Sequence, residues 1–451
     1  MTNYLAQYFK LPEGYAEVVQ TGEPENDCGY FRFGSETCYG QCAGLKPRKT
    51  PDECLTDALP GAKTDHKIIY LPFDLADVID NLRNENYVAN SKSTSTLNSA
   101  MVAAYYAVRP LLSVSVRRHL QKVRLRGWNK LAFPHWPVDL TVDRLLERLL
   151  LMAMQSQGLD RIPFIWFWPD GASSCAIMTH DVETEAGRDF CSSLMDANDR
   201  FGIKASFQVV PERRYSVPES YLDEIRDRGY EINVQDLNHD GHLYREKQEF
   251  VARVAKINAY GRQWRANGFR AAVLYRRQDW FNSFDFSYDM SVPNVAHLDP
   301  QRGGCCTVMP YFVGNILELP VTMTQDYSLF NVLGDYSIDL WKRQAELIME
   351  AHGLMSFIVH PDYITTSRPR RTYEALLGHL SQLRTEKNVW TPLPGEVDRW
   401  WRQRAQMRLV QAGGDWRIEG SGHERALIAY ASSKDGRLVC TIQKAVAGVR
   451  S

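Results

Sequence analysis

The feature that most restricts this chain is a run of alternating apolar strands and helical segments that begins at Cys175. The stretch 175–182 (CAIMTHDV) is apolar and ends in polar residues, as a buried strand does. Further strand-like stretches fall at 205–210, 231–234, 268–273, 288–292, 316–319 and 354–359. Between them lie helical stretches at 187–201, 218–228, 245–267 and 337–351. Strands separated by helices argue for a parallel sheet with helices outside it. In such folds reacting groups gather at the carboxyl ends of strands. Asp181, Glu183, His239, Arg270 and His360 all fall at or just after predicted strand ends, a placement that core packing alone does not explain.

The remainder of the 451 residues calls for further domains, because one domain takes about 100–200 residues. Three regions are expected: 1–165, 166–395 and 396–451. In the first, residues before position 60 are rich in Gly, Pro and Cys and read as irregular. A short strand at 67–71 follows, then helices at 75–85, 96–108 and 142–154, so this region is expected to be α-rich. The segment 114–130 carries Arg117, Arg118, Lys122, Arg124, Arg126 and Lys130. Such a helix suits phosphate, an acidic glycan or a lipid surface, although a solvated face is the commoner role. After Trp400 and Trp401, residues 407–443 alternate apolar and polar with Gly turns, which reads as a small antiparallel β module.

Composition excludes several classes. The formal net charge of -1 gives no strong field toward nucleic acid. No apolar stretch is long enough to span a bilayer. The first residues lack an apolar run after basic ones, so a cytoplasmic location is expected. Nine cysteines, an odd number without tight pairs, read as free thiols. Cys305 and Cys306 are adjacent, and a packed loop is the expectation there.

The segment Thr179-His180-Asp181-Val182-Glu183 resembles the first motif of polysaccharide deacetylases, the NodB-homology group of carbohydrate esterases. Gly229-Tyr230-Glu231-Ile232 resembles the strand before that family's second motif, Gly268-Phe269-Arg270-Ala271-Ala272 its third, and Phe357-Ile358-Val359-His360 its fifth. The resemblance covers about half the chain and implies a distorted (β/α) barrel. It also implies a catalytic base at Asp181, a general acid at His360, and an arginine at Arg270 that pairs with the base. A divalent metal, zinc foremost, would be held by Glu183 and His239. Positions two apart on a strand face the same way, so Asp181 and Glu183 can share a site.

Gln235 stands where the family has the first histidine of His-x-x-x-His, and Ala272 where it has Pro. Amide is a weaker ligand for zinc than imidazole, and His242 is a candidate replacement. Asp289 is a candidate for orienting a catalytic histidine. The implied activity is metal-dependent removal of an acyl group, N-acetyl, from an amino-sugar polymer or precursor, with a carbohydrate substrate as partner. The alternative is a glycan-binding or scaffold protein that has lost its metal at Gln235.

Overall fold

The structure is a computed structural model that describes residues 3–24, 26–89 and 114–443. Its centre is a nine-stranded sheet. In chain order the strands are β1 (Ser174–Val182), β2 (Ala205–Val209), β3 (Glu231–Gln235), β4 (Gly268–Arg270) and β5 (Tyr288–Asp289). They continue with β6 (Tyr311–Val313), β7 (Ile316–Glu318), β8 (Leu354–Val359) and β9 (Val389–Trp390). Across the sheet the order is β6-β7-β5-β4-β3-β2-β1-β8, and β9 also pairs with β1. Every neighbouring pair is parallel except the β6–β7 hairpin. The backbone after β7 spans the gap to β8. Val321 N donates to Val292 O, and Met323 N donates to Ser356 O. One segment thus bonds to both sides, and the sheet forms a distorted, nearly closed barrel.

Five helices flank the barrel: α1 (Glu185–Phe201), α2 (Glu219–Asp227), α3 (Lys247–Trp264), α4 (Asp339–Glu350) and α5 (Ser367–Lys387). Local chemistry sets the start and end of α1. The Thr184 side chain accepts a hydrogen bond from Gly187 N, and Gly202 closes the helix in the left-handed region (φ 64°).

The side-chain period of two then divides β1 into faces. Ala176, Met178 and Val182 pack outward against the helices. Cys175 and Ile177 point inward, into an apolar cluster with Tyr288, Leu317 and Trp400. Thr179 and Asp181 continue that inward face and are buried polar groups. The barrel interior is therefore apolar at its amino end and polar at its carboxyl end. Helix α6 (Pro394–Gln406) covers the amino end. There Gly395 N donates to Glu231 Oε2 and Trp400 Nε1 to Phe167 O.

The N-terminal region carries strands as well as its helices. Alongside its helices, its described residues form six short strands, at Glu17–Gln20, Gly29–Phe33, Glu36–Gly40, Lys63–Asp65, Ile68–Leu71 and Arg161–Ile165. Residues 29–40, read as irregular, form a hairpin around Gly34 that buries Phe31, Phe33 and Cys38. Gly and Cys content masked a strand whose aromatic residues supply the packing. The helix expected at 96–108 lies outside the described residues.

Beyond the barrel, Arg408–Ala412 pairs with Asp415–Glu419, and Ile428–Lys434 with Arg437–Ile442. The Ile428–Lys434 strand also pairs antiparallel with Arg161–Ile165, so a strand preceding the barrel completes the C-terminal sheet. The N-terminal region, the Ile162–Trp168 aromatics, α6 and the C-terminal strands share one apolar core. All nine cysteines are free thiols.

One buried ion pair fastens the N-terminal region to the barrel. Glu85, after the Leu75–Arg83 helix, accepts two hydrogen bonds from Arg276 on the loop after β4, one of them 2.7 Å from Nε. The two side chains are 7% and 1% exposed. Removing one partner of such a pair strands a charge away from water. Glu85→Ala is expected to lower stability by about 3–5 kcal/mol, read as a fall in the urea midpoint. A change below about 1 kcal/mol would show that water reaches Arg276 once Glu85 is gone.

Candidate functional site

The carboxyl ends of β1, β3, β4 and β8, with the loops after them, bring six of the sequence candidates together: Asp181, Glu183, Gln235, His239, Arg270 and His360. Arg270 ends β4, is fully buried, and reaches across to β1. Its Nη1 donates to Asp181 Oδ1 at 2.7 Å and to Thr179 Oγ1 at 2.9 Å, while its Nε donates to Met290 O at 3.0 Å. Gln235, ending β3, donates its amide to Asp181 Oδ2 and to Glu183 Oε1, each at 3.2 Å. Asp181 is thus held on both oxygens. Burial raises its carboxyl above the usual aspartate value, and Arg270 offsets this only in part. The result is a stronger proton acceptor than an exposed aspartate.

Glu183 lies two residues further, beyond the strand end, and faces two imidazoles. His239 Nε2 is 2.7 Å from its Oε1, and His360 Nε2 is 3.4 Å away. Burial alone would raise the Glu183 carboxyl. The two imidazoles outweigh it and hold the group well below the usual glutamate range. His239 in turn is raised: Glu183 outweighs the burial that would lower it. Thr184 caps the following helix α1 through its side chain, which leaves Glu183 free to face the site.

His360 follows β8 directly. Its Nδ1 contacts Asp326 Oδ1 at 2.7 Å, and its backbone N donates to Asp326 Oδ2 at 2.8 Å. Burial would lower this imidazole, but Asp326 and then Glu183 drive it well above its usual value. Such surroundings favour the protonated imidazole, the form that has a proton to give. Its ring lies 4.7 Å from that of Tyr363, which lies 5.6 Å from that of Tyr327. Ile358, two residues earlier on the same face of β8, packs with Leu274 and Val321 in a small apolar cluster.

Asp181, Glu183 and His360 offer ligand atoms within 4.8 Å of one another. His239 stands outside that mutually close trio but abuts Glu183. Its Nε2 is buried and, despite the short approach, makes no hydrogen bond. Gln235 Oε1 is likewise buried without a hydrogen-bond partner. Two carboxylates, two imidazole nitrogens and an unpaired amide oxygen form a nitrogen–oxygen donor set that suits a divalent cation, zinc included.

Two expectations need correction. His242 is not brought to the cluster. Its side chain is 41% exposed and sits 3.8 Å from Asp240, because Asp240 turns the loop outward by accepting the His242 backbone N–H. Asp289 does not orient a histidine. It accepts from Ser291 N and Oγ and shares its surroundings with Glu318, with burial raising it to about 6. The orienting acid is Asp326, which sequence reading missed. It lies just before the helical turn at Ser328–Leu333, 34 residues before His360, with no motif or fixed spacing to mark it. Thr179 was also overlooked as a contact of Arg270, although its position two before Asp181 places it on the same inward face.

His180, inside the first motif, points away from the site. It meets Val359 O, Asn198 and Tyr373, and burial lowers it to about 3. Around the mouth, four non-glycine residues occupy left-handed backbone: Asp236 (φ 51°), His239 (φ 54°), Val273 (φ 60°) and Leu274 (φ 53°). Each such conformation costs on the order of 1–3 kcal/mol, most for branched Val273, and persists only where the surroundings enforce it.

No family model matches this chain, and no curated protein matches it. Among solved structures, a candidate polysaccharide deacetylase from Mycobacterium smegmatis aligns with 53% of this chain and 93% of its own, at 17% identity and TM-score 0.43. The allantoinase Puue aligns with 52% of this chain and 92% of its own, at 12% identity and TM-score 0.40. A candidate polysaccharide deacetylase from Pseudomonas aeruginosa PAO1 aligns with 52% and 93%, at 13% identity and TM-score 0.41.

The Asp326–His360 contact makes a direct prediction. Asp326→Asn removes the anion that outweighs burial, so the His360 imidazole of the metal-free protein should lose its proton at lower pH. An NMR titration of the ring checks it, and a midpoint unchanged from the parent would remove Asp326 as the cause.

Proposed function

We propose that this barrel is a metal-dependent hydrolase that removes an acyl group, N-acetyl, from an amino sugar in a carbohydrate polymer or precursor. The observation that carries the reading is the convergence of Asp181, Glu183 and His360 within 4.8 Å. Within it, a carboxylate of raised proton affinity faces a histidine that holds a proton. Hydrolysis of an amide needs those two functions together.

Water adds through its oxygen to the acyl carbon, and Asp181 takes the proton that water loses. Arg270 and Gln235 keep the Asp181 carboxylate in place throughout. When the carbon–nitrogen bond breaks, His360 gives its proton to the leaving amine, and Asp326 steadies the imidazole in both protonation states. The products are a carboxylic acid and a free amino group. The apolar cluster of Leu274, Val321 and Ile358 suits the methyl of an acetyl group. Tyr363 and Tyr327 suit a sugar face. Glu183 and His239 would hold the metal ion, with Gln235 Oε1 as the further donor. When bound, such an ion polarises the acyl carbonyl and makes water more acidic.

Acetate release from acetylated chito-oligosaccharides and peptidoglycan fragments tests the reading. Asp181→Asn keeps the shape and removes the base, so turnover should fall by roughly 10²–10⁴ while metal binding largely survives. His360→Ala should lose turnover similarly. Equal rates in parent and variants would take both residues out of the mechanism.

Gln235 supports a second reading, because its amide already donates to both carboxylates. The protein would then bind glycans without catalysis. Elemental analysis separates the two. A near-stoichiometric divalent ion supports the hydrolase, and failure to bind added zinc or cobalt supports the binding protein. Gln235→His should tighten zinc binding, since it adds an imidazole to the donor set.

A further inference from the structure

The helix at Val114–Arg124 and the turn after it lie in a long stretch of one-sided charge. From Asn86 to Val138 the sequence contains no Asp or Glu, yet residues 117–130 hold six Lys and Arg in a chain of net charge -1. Lys122, Arg124, Arg126 and Lys130 are exposed. Among the described residues none of these four forms a salt bridge, and Arg124 meets only a backbone carbonyl, that of Pro300. Solvated cationic faces usually carry interleaved acids that neutralise them. This one has none.

Apolar side chains stand among these cations. Leu120 is 40% exposed and Val123 is 56% exposed, three positions apart and so on one helical face. Trp128, in the turn after the helix, and Trp136, both half-buried, pack edge-on against each other at 5.0 Å. Leu125 turns inward and is buried, which anchors the helix end to the protein. The Gln121 side chain accepts a hydrogen bond from Tyr327, the residue after Asp326. This face therefore adjoins the mouth of the barrel.

We propose that this face docks on an anionic phospholipid surface. Unpaired cations supply attraction to headgroup phosphates, while Leu120, Val123 and the tryptophan pair supply apolar insertion at the headgroup boundary. An acidic glycan would satisfy the cations but gives exposed aliphatic side chains nothing to enter. Docking holds the mouth of the barrel near the membrane plane. It does not depend on which bond the barrel cleaves.

The test is co-sedimentation of the full chain with vesicles of phosphatidylglycerol and phosphatidylcholine in equal parts, and with phosphatidylcholine alone. Binding is expected to the anionic vesicles only, weakening as salt rises. At roughly fivefold per surface cation, Lys122→Ala/Arg124→Ala/Arg126→Ala should lower partitioning about 100-fold. Leu120→Ser/Val123→Ser should lower it roughly tenfold or more, because two aliphatic side chains no longer enter the boundary. All five positions are exposed, so the thermal unfolding midpoints should match the parent. If the triple variant fails to fold, the serine pair and the salt titration of the parent still decide the matter. Absence of binding to anionic vesicles at low salt overturns the proposal. So does a serine pair that binds as the parent does, or preference for soluble heparin over vesicles, which would assign the face to an acidic glycan.

Discussion

A fully buried guanidinium governs the carboxyl end of this barrel. Arg270 has no access to water, and an unpaired charge there would cost several kcal/mol or more. Its partners come from different strands: Thr179 and Asp181 on β1, and Met290 O just beyond β5. The ion pair and the curvature of the sheet therefore require one another. A flat sheet would not bring β1 close enough to β4 to share a hydrogen bond, because β2 and β3 lie between them.

Around that pair the charges are nested. Asp181, Glu183 and Asp326 are the acids, and Arg270, His239 and His360 are the bases. Asp236 also acts on His239 and Asp362 on His360, and each imidazole is driven toward its protonated form. A cation bound at Glu183 would compete with those two protons, so metal affinity and histidine protonation are linked. Gln235 sits between the carboxylates as a neutral donor, where an imidazole would instead compete for the metal. An imidazole at position 235 would alter both the donor set and the proton balance of the site.

The N-terminal region is part of this arrangement and not an appendage. Glu85 fixes Arg276, the loop of Arg276 carries the left-handed Val273 and Leu274, and Leu274 packs on Ile358 beside His360. On the other side Asp299 accepts a hydrogen bond from Gln325, the residue before Asp326. Backbone strain at the mouth is thus held in place by contacts that begin some 190 residues earlier in the chain. The same region contributes to the apolar core that closes the amino end of the barrel and receives the C-terminal strands.

The sequence by itself determined the parallel strands, their helices, and the order of the residues that reach the mouth. These are local properties: a period of two in buried strands, and polar residues where an apolar run stops. It also placed Asp181 and Glu183 on one face and Arg270 at the end of its strand, since backbone alternation fixes direction. The tertiary structure decided what had no local signature. Asp326, just before the Ser328–Leu333 helical turn, reaches His360 across 34 residues only because the segment after β7 crosses to β8. His242 is turned away by Asp240, and Asp289 is taken up by Ser291 and Glu318, which nothing in their spacing announces. The Gly29–Phe33 hairpin strand looked irregular because its stability comes from burying Phe31 and Phe33 in a core assembled from distant segments. Which charge meets which is set by the curvature of the sheet, a property of all its strands together that no single segment encodes.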